Sequence, residues 1–401
     1  MKRIAIIGGG AAGCFCAANI VKEVPGADVT VYESGPSAMA KLALTGGGRC
    51  NITNSFASVD NLRDVYPRGY NLMKRALSAF GPRDTVAWFE NAGVRLYTQP
   101  DGRVFPVSDD AREVVGTLSG MMRRGGVKLR CGSRVASVVR EDGFKLNFTD
   151  GSVGVADILV IASGGGTAAL AESLGAETVP AVPSLYTFRI EDSALRALMG
   201  SVAPEAVVGI AGTGFRASGP LLVTDWGVSG PAVLRLSSYA ARHLAERGWK
   251  SALTVNWTGS SEDGIRRWAE SARGENASKF ISSVHPDGLS DRFWKHILNR
   301  AGLREDARWS EVGAKVLNRL VSALTADTYA IAGKGSYKEE FVTCGGVSLS
   351  SVDPGTMESR NCSGLFFAGE VLDVDAVTGG FNLQAAWSTA YSAYRKILLY
   401  L

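Results

Sequence analysis

The sequence RIAIIGGGAAGCFCAANIVKE at residues 3–23, followed by DVTVYE at residues 28–33, decides the fold of this chain. Its first five residues, RIAII, predict a short buried strand, and the residues from Ala11 to Val24 predict a helix. The second segment is rich in β-branched residues and predicts another strand. A strand, a helix and a strand within about thirty residues form a β-α-β unit. The sequence therefore predicts an α/β fold with a Rossmann-like parallel sheet.

The turn between the first strand and the helix suits a phosphate group. Gly8, Gly10 and Gly13 match G-x-G-x-x-G, in which glycines permit a tight turn, the approach of a pyrophosphate and close packing of helix on strand. The helix N-terminus offers free N–H groups and a partial positive charge. Glu33 ends the second strand and can accept hydrogen bonds from adenosine ribose hydroxyls. Together these features predict a dinucleotide site.

Two later segments favour FAD over a permanently bound nicotinamide cofactor. ADILVIASGG at residues 156–165 is an apolar strand that runs into a turn of small residues. GLFFAGE at residues 364–370 is a second apolar strand, and it leads to TGGFNLQ at residues 378–384. A flavin needs a distant strand end for its ribityl chain, and Glu370 fits this role. It also benefits from a helix N-terminus near its ring, which the backbone of residues 379–384 can provide.

Composition places the chain among soluble globular proteins. Its 401 residues allow two or three domains, and 46% hydrophobic with 20% charged residues is an ordinary composition. The uncharged run from Ile4 to Val21 resembles a membrane span in length. Four glycines interrupt this run, so we expect neither a membrane segment nor a membrane partner.

Charge and cysteine content exclude further classes. The chain has 43 basic and 39 acidic residues, a formal charge of +4, and no run of five or six like charges. Charge alone therefore does not indicate nucleic acid. The six cysteines form no C-x-x-C pair and have no metal-ligand spacing with the three histidines. We expect no metal site, no disulfide framework and a cytoplasmic location.

Further motifs extend over nearly the whole chain. They are KLALTGGGRCNITN (41–54), GRVFPVSDDA (102–111), VSGPAVL (228–234), VTCGGV (342–347), TMES (356–359) and GLFFAGEVLDVDAVTGGFNLQAAWS (364–388). With them the chain resembles the BaiN/YhiN-like family of FAD-dependent flavoproteins. GGGRCN and GEVLDVDAVTGGFNLQ are much more specific to that family than G-x-G-x-x-G.

The resemblance implies an interrupted domain order. Residues 1–185 and 340–401 are expected to form a two-part, Rossmann-like FAD-binding domain. Residues 186–258 and 326–339 are expected to form an inserted β-barrel-like domain, and residues 259–325 a small helical subdomain. The predicted elements agree, since their order is α/β, then β, then α, then α/β again.

The resemblance also implies where the cofactor binds. In the family the GGGRCN loop lies against the flavin and its phosphates, so Arg49 can pair with pyrophosphate, and Asn51 and Asn54 can bond edge atoms of the flavin. Cys50 is expected to be a small buried residue rather than a redox partner. The full set of expected cofactor-binding residues is Gly8, Gly10, Ala11, Ala12, Gly13, Glu33, Lys41, Gly48, Arg49, Cys50, Asn51, Ala162, Ser163, Gly164, Gly369, Glu370, Asp375, Gly379, Gly380, Phe381 and Asn382.

One departure from the family concerns the substrate. The histidine that the family usually carries before its G-x-SGP motif is replaced by Asp225 in TDWGVSGP, so the substrate does not follow from the resemblance. Asp225, Tyr337 and Lys338 are candidates for the proton donor.

The expected function is hydride transfer through flavin N5. Gly212-Thr213-Gly214 lacks the third glycine of a second fingerprint, so NAD(P)H is expected to dock transiently as electron donor. The favoured reaction is reduction of a conjugated C=C bond in a small molecule. A uridine reductase acting on ribosomal RNA, a small-amine oxidase and a non-catalytic flavin-binding module remain as alternatives.

Overall fold

A computed structural model describes residues 2–165, 168–335 and 342–401 of the chain. Its strands are β1 (Arg3–Ile7), β2 (Asp28–Tyr32), β3 (Thr53–Asn54), β4 (Leu96–Thr98), β5 (Arg103–Pro106), β6 (Lys128–Arg130), β7 (Val135–Arg140), β8 (Phe144–Phe148), β9 (Val153–Ala156), β10 (Ile158–Ile161), β11 (Thr178–Ser184), β12 (Phe188–Ile190), β13 (Val202–Ile210), β14 (Arg216–Val223), β15 (Gly227–Ser229), β16 (Ser251–Asn256), β17 (Asp327–Lys334), β18 (Val342–Val347) and β19 (Leu365–Phe367). Its helices are α1 (Ala11–Glu23), α2 (Ala40–Leu44), α3 (Leu62–Val65), α4 (Tyr70–Ala79), α5 (Pro82–Asn91), α6 (Ala111–Arg124), α7 (Ala169–Glu172), α8 (Ser193–Arg196), α9 (Pro231–Tyr239), α10 (Ala241–Glu246), α11 (Glu262–Glu275), α12 (Asp291–Arg300), α13 (Ala314–Thr325) and α14 (Phe381–Ile397). Within these described ranges, no helix combines the length and apolar character that a membrane span requires.

The chain divides into two compact units. One consists of Met1–Val182 with Val342–Leu401, and the other of Pro183–Phe341. The boundaries predicted from the sequence, after residues 185 and 339, fall close to these. The assignment of the two units as an FAD-binding and an inserted domain stays a prediction.

A parallel sheet of five strands forms the centre of the first unit. Its strand order is β19-β10-β1-β2-β6, and Ile4 of β1 pairs with Val29 on one side and Ile158 on the other. Residues Ile4 to Ile7 are all buried, as expected for a strand covered on both faces. The predicted Rossmann-like sheet is thus confirmed. The strand order reverses between β1 and β10, which is where such sheets bind ligands beyond their carboxyl ends.

Helices α1 and α14 pack against each other in this unit. Phe15 of α1 is fully buried, and its ring centroid lies 4.6 Å from that of Trp88 and 5.2 Å from that of Trp387. Aromatic contacts of this kind add about 0.5–1.5 kcal/mol beyond the burial of their surface. The N-terminal and C-terminal parts of the chain therefore share one core.

A closed barrel forms the centre of the second unit. Its strand order is β12-β15-β14-β13-β16-β17, which confirms the β-barrel-like fold expected from the resemblance. In β12, β16 and β17 buried residues alternate with more exposed ones, as the two-residue period of a strand predicts. Phe188 of β12, Val208 of β13, and Leu253 and Val255 of β16 are fully buried in its core.

Helices α11, α12 and α13 occupy the segment in which the sequence predicted a helical subdomain. Trp294 and Trp309 are fully buried there, and both pack edge to face on Trp268 at 5.9 Å. These tryptophans therefore form a hydrophobic core.

A buried polar network joins α12 to β17. Asp327 accepts hydrogen bonds from Tyr329 at 2.6 Å and from Trp257 Nε1 at 3.2 Å, and it forms an ion pair with Arg300. His296 Nε2 lies 3.0 Å from the Tyr329 hydroxyl. Because that hydroxyl donates to Asp327, His296 donates to it in turn and is the Nε2–H tautomer. Burial lowers the pKa of His296 from its usual value of 6.5.

This lowered pKa makes stability depend on pH. Below about pH 6.5 the unfolded chain binds a proton at His296 that the folded chain does not, so stability is present above that pH and is lost as the pH falls towards the folded-state pKa. Each unit of pKa difference between the two states corresponds to about 1.4 kcal/mol, or roughly 3–6 °C in Tm for a unit of this size. Thermal denaturation between pH 7.5 and 5.5 should show this loss for the native protein and a smaller one for His296→Gln. An equal loss in both proteins would contradict the assignment.

Candidate cofactor site

The carboxyl edge of the parallel sheet gathers the residues that the sequence assigned to the cofactor. Gly8 follows β1, Glu33 follows β2, Ala162 follows β10, and Glu370 comes shortly after β19. Main-chain bonds fix these ends: Gly8 N donates to the β2 carbonyl of Tyr32 at 2.8 Å, and Ala162 N donates to the last carbonyl of β1 at 2.8 Å. The sheet itself therefore brings together residues far apart in the sequence.

The glycines of the first turn differ in their steric surroundings. Gly8 has a φ of 107°, and a Cβ there would lie 2.4 Å from the carbonyl oxygen of Ala162. A Cβ at Gly13 would lie 2.0 Å from the carbonyl oxygen of Gly8, so only glycine allows α1 to begin this close to β1. At Gly10 a Cβ would meet no atom within 4 Å. The space beside Gly10 is thus open where the sequence predicts the pyrophosphate.

The first turn of α1, which includes Ala11 and Ala12, carries no side-chain cap and no acid of its own. Its N–H groups and partial positive charge are therefore available to phosphate. The open space and the uncapped helix fit the pyrophosphate of FAD.

Glu33 is held firmly at the end of β2. One carboxylate oxygen accepts from Gly9 N at 2.8 Å, and the other accepts from Gly35 N at 2.6 Å. The oxygen bound to Gly35 also accepts from the Ser34 hydroxyl at 3.3 Å, so the oxygen bound to Gly9 is the one that can accept a second bond. Glu33 thus shapes the glycine turn and keeps acceptor capacity for ribose hydroxyls.

Glu370 lies among other residues of the expected set. Its Oε1 accepts from Thr343 N at 2.7 Å, and its Oε2 lies 3.9 Å from Lys41 Nζ. A Cβ at Gly164 would lie 3.7 Å from the same Oε2. The structure therefore brings Lys41, Gly164 and Glu370 together. Ser163, which precedes Gly164, belongs to the same turn after β10.

Thr343 is a residue of this cluster that sequence reasoning missed. A Cβ at Gly165 would lie 2.2 Å from the Thr343 side chain, so the turn after β10 packs directly on β18. The motif VTCGGV had marked this strand, but only the fold shows that its backbone binds Glu370.

The GGGRCN loop combines open and buried positions. A Cβ at Gly48 would meet nothing within 4 Å, and the Arg49 guanidinium lies over the ring of Phe105 at 4.4 Å. Cys50 is fully buried, and burial raises the pKa of its thiol to about 12. Such a thiol stays protonated and is a poor nucleophile, in line with the expected packing role.

Several expected cofactor residues bind other parts of the protein. Asp375 forms a buried ion pair with Arg68. Both ends of the Asn382 amide bind the backbone of Ala376 at 2.9 Å. A Cβ at Gly369 would lie 2.9 Å from that of Ala12, which makes this glycine necessary for packing on α1.

Three more of the expected cofactor-binding residues lie at the start of α14. Gly379 and Gly380 form the turn before the helix, and the carbonyl oxygen of Phe381 accepts from the Tyr66 hydroxyl at 2.9 Å. Asn51 and Asn54 bind the backbone of this turn. Direct contact of the two asparagines with a flavin stays a prediction.

Of the three catalytic candidates, the structure describes only Asp225. Asp225 is an exposed residue of the second unit, between β14 and β15. Tyr337 and Lys338 lie outside the described residues. Among the residues that are described, no three His, Cys, Asp or Glu side chains are arranged to hold a metal ion.

Comparison with known proteins agrees with this geometry. The model of the family described as "HI0933-like protein Rossmann domain" matches residues 2–396. The chain belongs to this family. It is the family of BaiN/YhiN-like, FAD-dependent flavoproteins that the sequence motifs indicated. The site formed by the glycine turn, Glu33 and Glu370 fits the cofactor of this family.

Relatives within this family match the chain from end to end. The ribosomal RNA dihydrouridine synthase of Escherichia coli (strain K12) is 30% identical over 98% of this chain and 97% of its own length. The 3-dehydro-bile acid delta(4,6)-reductase of Clostridium scindens is also 30% identical, over 98% of both chains. The fold is similar to that of 3-ketosteroid delta1-dehydrogenase from Sterolibacterium denitrificans, with a TM-score of 0.53, 13% identity and full coverage of both chains.

Substitution of Gly10 tests the predicted pyrophosphate site. Gly10→Val should leave the FAD-free protein folded, since a Cβ at this position meets no atom within 4 Å. The new side chain should fill the space expected for the pyrophosphate and abolish FAD binding. Gly116→Val in α6 is a matched control, because a Cβ at that glycine also meets nothing within 4 Å. Thermal denaturation and flavin content measure the two effects. Stoichiometric FAD in the purified Gly10→Val protein would contradict the site.

Substitution of Glu370 tests the ribityl contact. Loss of a hydrogen bond to a charged group costs about 1.5–3 kcal/mol, so Glu370→Ala should weaken FAD binding roughly 10- to 150-fold. Glu370→Gln keeps an acceptor for Thr343 N and should weaken binding less. Fluorescence titration with FAD measures both, and equal affinity in all three proteins would contradict the contact.

Proposed function

We propose that this protein is an FAD-dependent reductase that adds hydrogen across a C=C bond conjugated with a carbonyl group in a small molecule, with NAD(P)H as transient electron donor. The observation that carries the proposal is the end-to-end similarity to relatives whose names describe this chemistry. One is named for dihydrouridine, which is uridine with a saturated ring C=C bond, and another for the reduction of delta(4,6) positions.

The chain's own groups divide the work of holding the cofactor. Main-chain N–H groups at Gly10 and at the start of α1 would bind the pyrophosphate, Glu33 the adenosine ribose, and Glu370 the ribityl chain. FAD held in this way supplies a hydride through N5 of its ring. The fixed positions of both carboxylates support a cofactor that stays bound through turnover.

The surroundings of Gly212 and Gly214 support transient docking of the nicotinamide. Gly212 and Gly214 lie in the connection between the antiparallel strands β13 and β14. That connection precedes no helix, so it lacks the helix N-terminus that a second pyrophosphate would need.

The reaction also requires a proton donor. Hydride addition to the β-carbon of a conjugated alkene places negative charge on the carbonyl oxygen, and a proton must follow. Asp225, Tyr337 and Lys338 stay our candidates for this donor. Asp225 is the candidate that the structure describes, and it is exposed to solvent.

A surface of the second unit favours RNA as a second candidate substrate. Arg216 and Arg235 donate to backbone carbonyl oxygens, and Arg247 donates to His243, so these three guanidinium groups bind no carboxylate among the described residues. The ring of Phe215 packs on His243 at 5.6 Å. Cationic groups beside an aromatic ring are typical of surfaces that bind single-stranded nucleic acid.

Anaerobic stopped-flow spectroscopy tests the proposal. NADPH or NADH should bleach the flavin, and a 3-oxo-4-ene steroid should restore its colour faster than oxygen does. Recovery with a uridine-containing RNA but not with the enone would favour the second candidate. Fast recovery with oxygen alone would indicate an oxidase, and the absence of bleaching with either nucleotide would contradict a reductase.

A further inference from the structure

The turn before α14 is bound by two asparagines from the other end of the chain. Asn54 Nδ2 donates to the carbonyl oxygen of Gly379 at 3.1 Å, and its Oδ1 accepts from Phe56 N at 2.9 Å. The Asn51 amide, oriented to satisfy both of its neighbours, accepts from Gly380 N at 2.9 Å and donates to Thr53 O at 2.9 Å. Each amide thus uses both its oxygen and its nitrogen.

The backbone of this turn leaves little freedom. Gly380 has a φ of 90°, and a Cβ there would lie 2.4 Å from Thr53 O. A substitution at Gly380 would therefore distort the turn instead of testing it. The asparagines are the side chains through which the position of the turn can be changed in a controlled way.

Further contacts join the same loop to the first two turns of α14. The fully buried Gln384 accepts from the hydroxyls of Thr53 and Thr85. Trp387 Nε1 donates to Ile52 O at 3.0 Å. Residues 51–54 therefore bind both the turn and the helix that follows it.

The backbone N–H groups at the N-terminus of α14 are not capped by a side chain, and the first turn of this helix contains no acidic residue. The N–H groups of Phe381, Asn382 and Leu383 precede the first intrahelical bond, which runs from Gln384 N to Gly380 O. This helix end thus carries a partial positive charge that neither a side-chain cap nor an acid of its own first turn neutralises.

We propose that Asn51 and Asn54 are positioning residues that direct the N-terminus of α14 at the flavin ring and so raise its midpoint potential. The inference rests on the FAD site of the proposed function. A positive helix end stabilises the reduced, anionic flavin more than the oxidised one, so its direction sets the potential. The adenosine and pyrophosphate contacts lie at α1 and β2, and they do not depend on the two asparagines.

Two variants test the two asparagines individually. Asn51→Ala removes the acceptor for Gly380 N, and Asn54→Leu removes the donor to Gly379 O at similar volume. Asn19→Leu is the matched control, because Asn19 is also buried in the first unit and also uses both ends of its amide, on Phe15 O at 2.7 Å and Trp88 Nε1 at 2.9 Å.

The first measurement needs no cofactor. Hydrogen exchange of FAD-free protein, followed by mass spectrometry, should be faster in the peptide spanning residues 376–388 for Asn51→Ala and Asn54→Leu. The control should leave that peptide unchanged. Unchanged exchange in both asparagine variants would show that they do not hold the turn, and would overturn the inference.

The second measurement is the midpoint potential of the FAD-loaded proteins, by dye equilibration. The preference for reduced over oxidised flavin should fall roughly three- to tenfold, which is about 15–30 mV for a two-electron couple. FAD affinity should fall less than in Glu370→Ala, and Asn54→Gln should restore part of the potential. Faster exchange with an unchanged potential would overturn the inference, while failure of the native protein to bind FAD would instead contradict the proposed function. If Asn54→Leu does not fold, Asn51→Ala gives both measurements.

Discussion

The close approach of α1 to the end of β1 is the constraint on which the site depends. A side chain at Gly13 would collide with the carbonyl oxygen of Gly8, and a side chain at Gly8 would collide with Ala162. With glycine at both positions, the helix N-terminus begins directly beyond the sheet edge, and the space beside Gly10 stays open. The backbone N–H groups at a helix N-terminus can bind phosphate without any side chain, which is the role predicted for this turn.

The other part of the site forms where the end of the chain returns to the parallel sheet. The last strand and helix, β19 and α14, complete the sheet and cover α1, where Gly369 lies against Ala12. The loop at residues 51–54 then binds the turn before α14 through amide groups. Segments from the two ends of the sequence thus hold each other in place, which explains why the family motifs lie in both parts of the chain.

The N-termini of α1 and α14 share one electrostatic property. The N-termini of α1 and α14 have neither a side-chain cap nor an acid in the first turn. Helices α4, α9 and α13 also lack both, whereas α6, α11 and α12 begin with caps from Asp110, Ser261 and Ser290, each with an acidic residue in the first turn. A missing cap is therefore not particular to α1 and α14. A cap stabilises a helix by roughly 0.5–2 kcal/mol, and without one the positive ends of these two helices stay available for an anionic ligand.

The sequence by itself determined the Rossmann-like sheet, the glycine turn and Glu33, because these follow from local periodicity and from a spacing of a few residues. The barrel followed from the family resemblance, since its short strands pair over long distances that no local pattern encodes. Only the tertiary structure decided how Thr343 joins Glu370, how Asp375 pairs with Arg68 and how Asn51 and Asn54 bind the turn before α14. Each of these contacts joins residues far apart in the sequence, and a side chain's hydrogen-bond partner is fixed by the backbone that folding brings beside it.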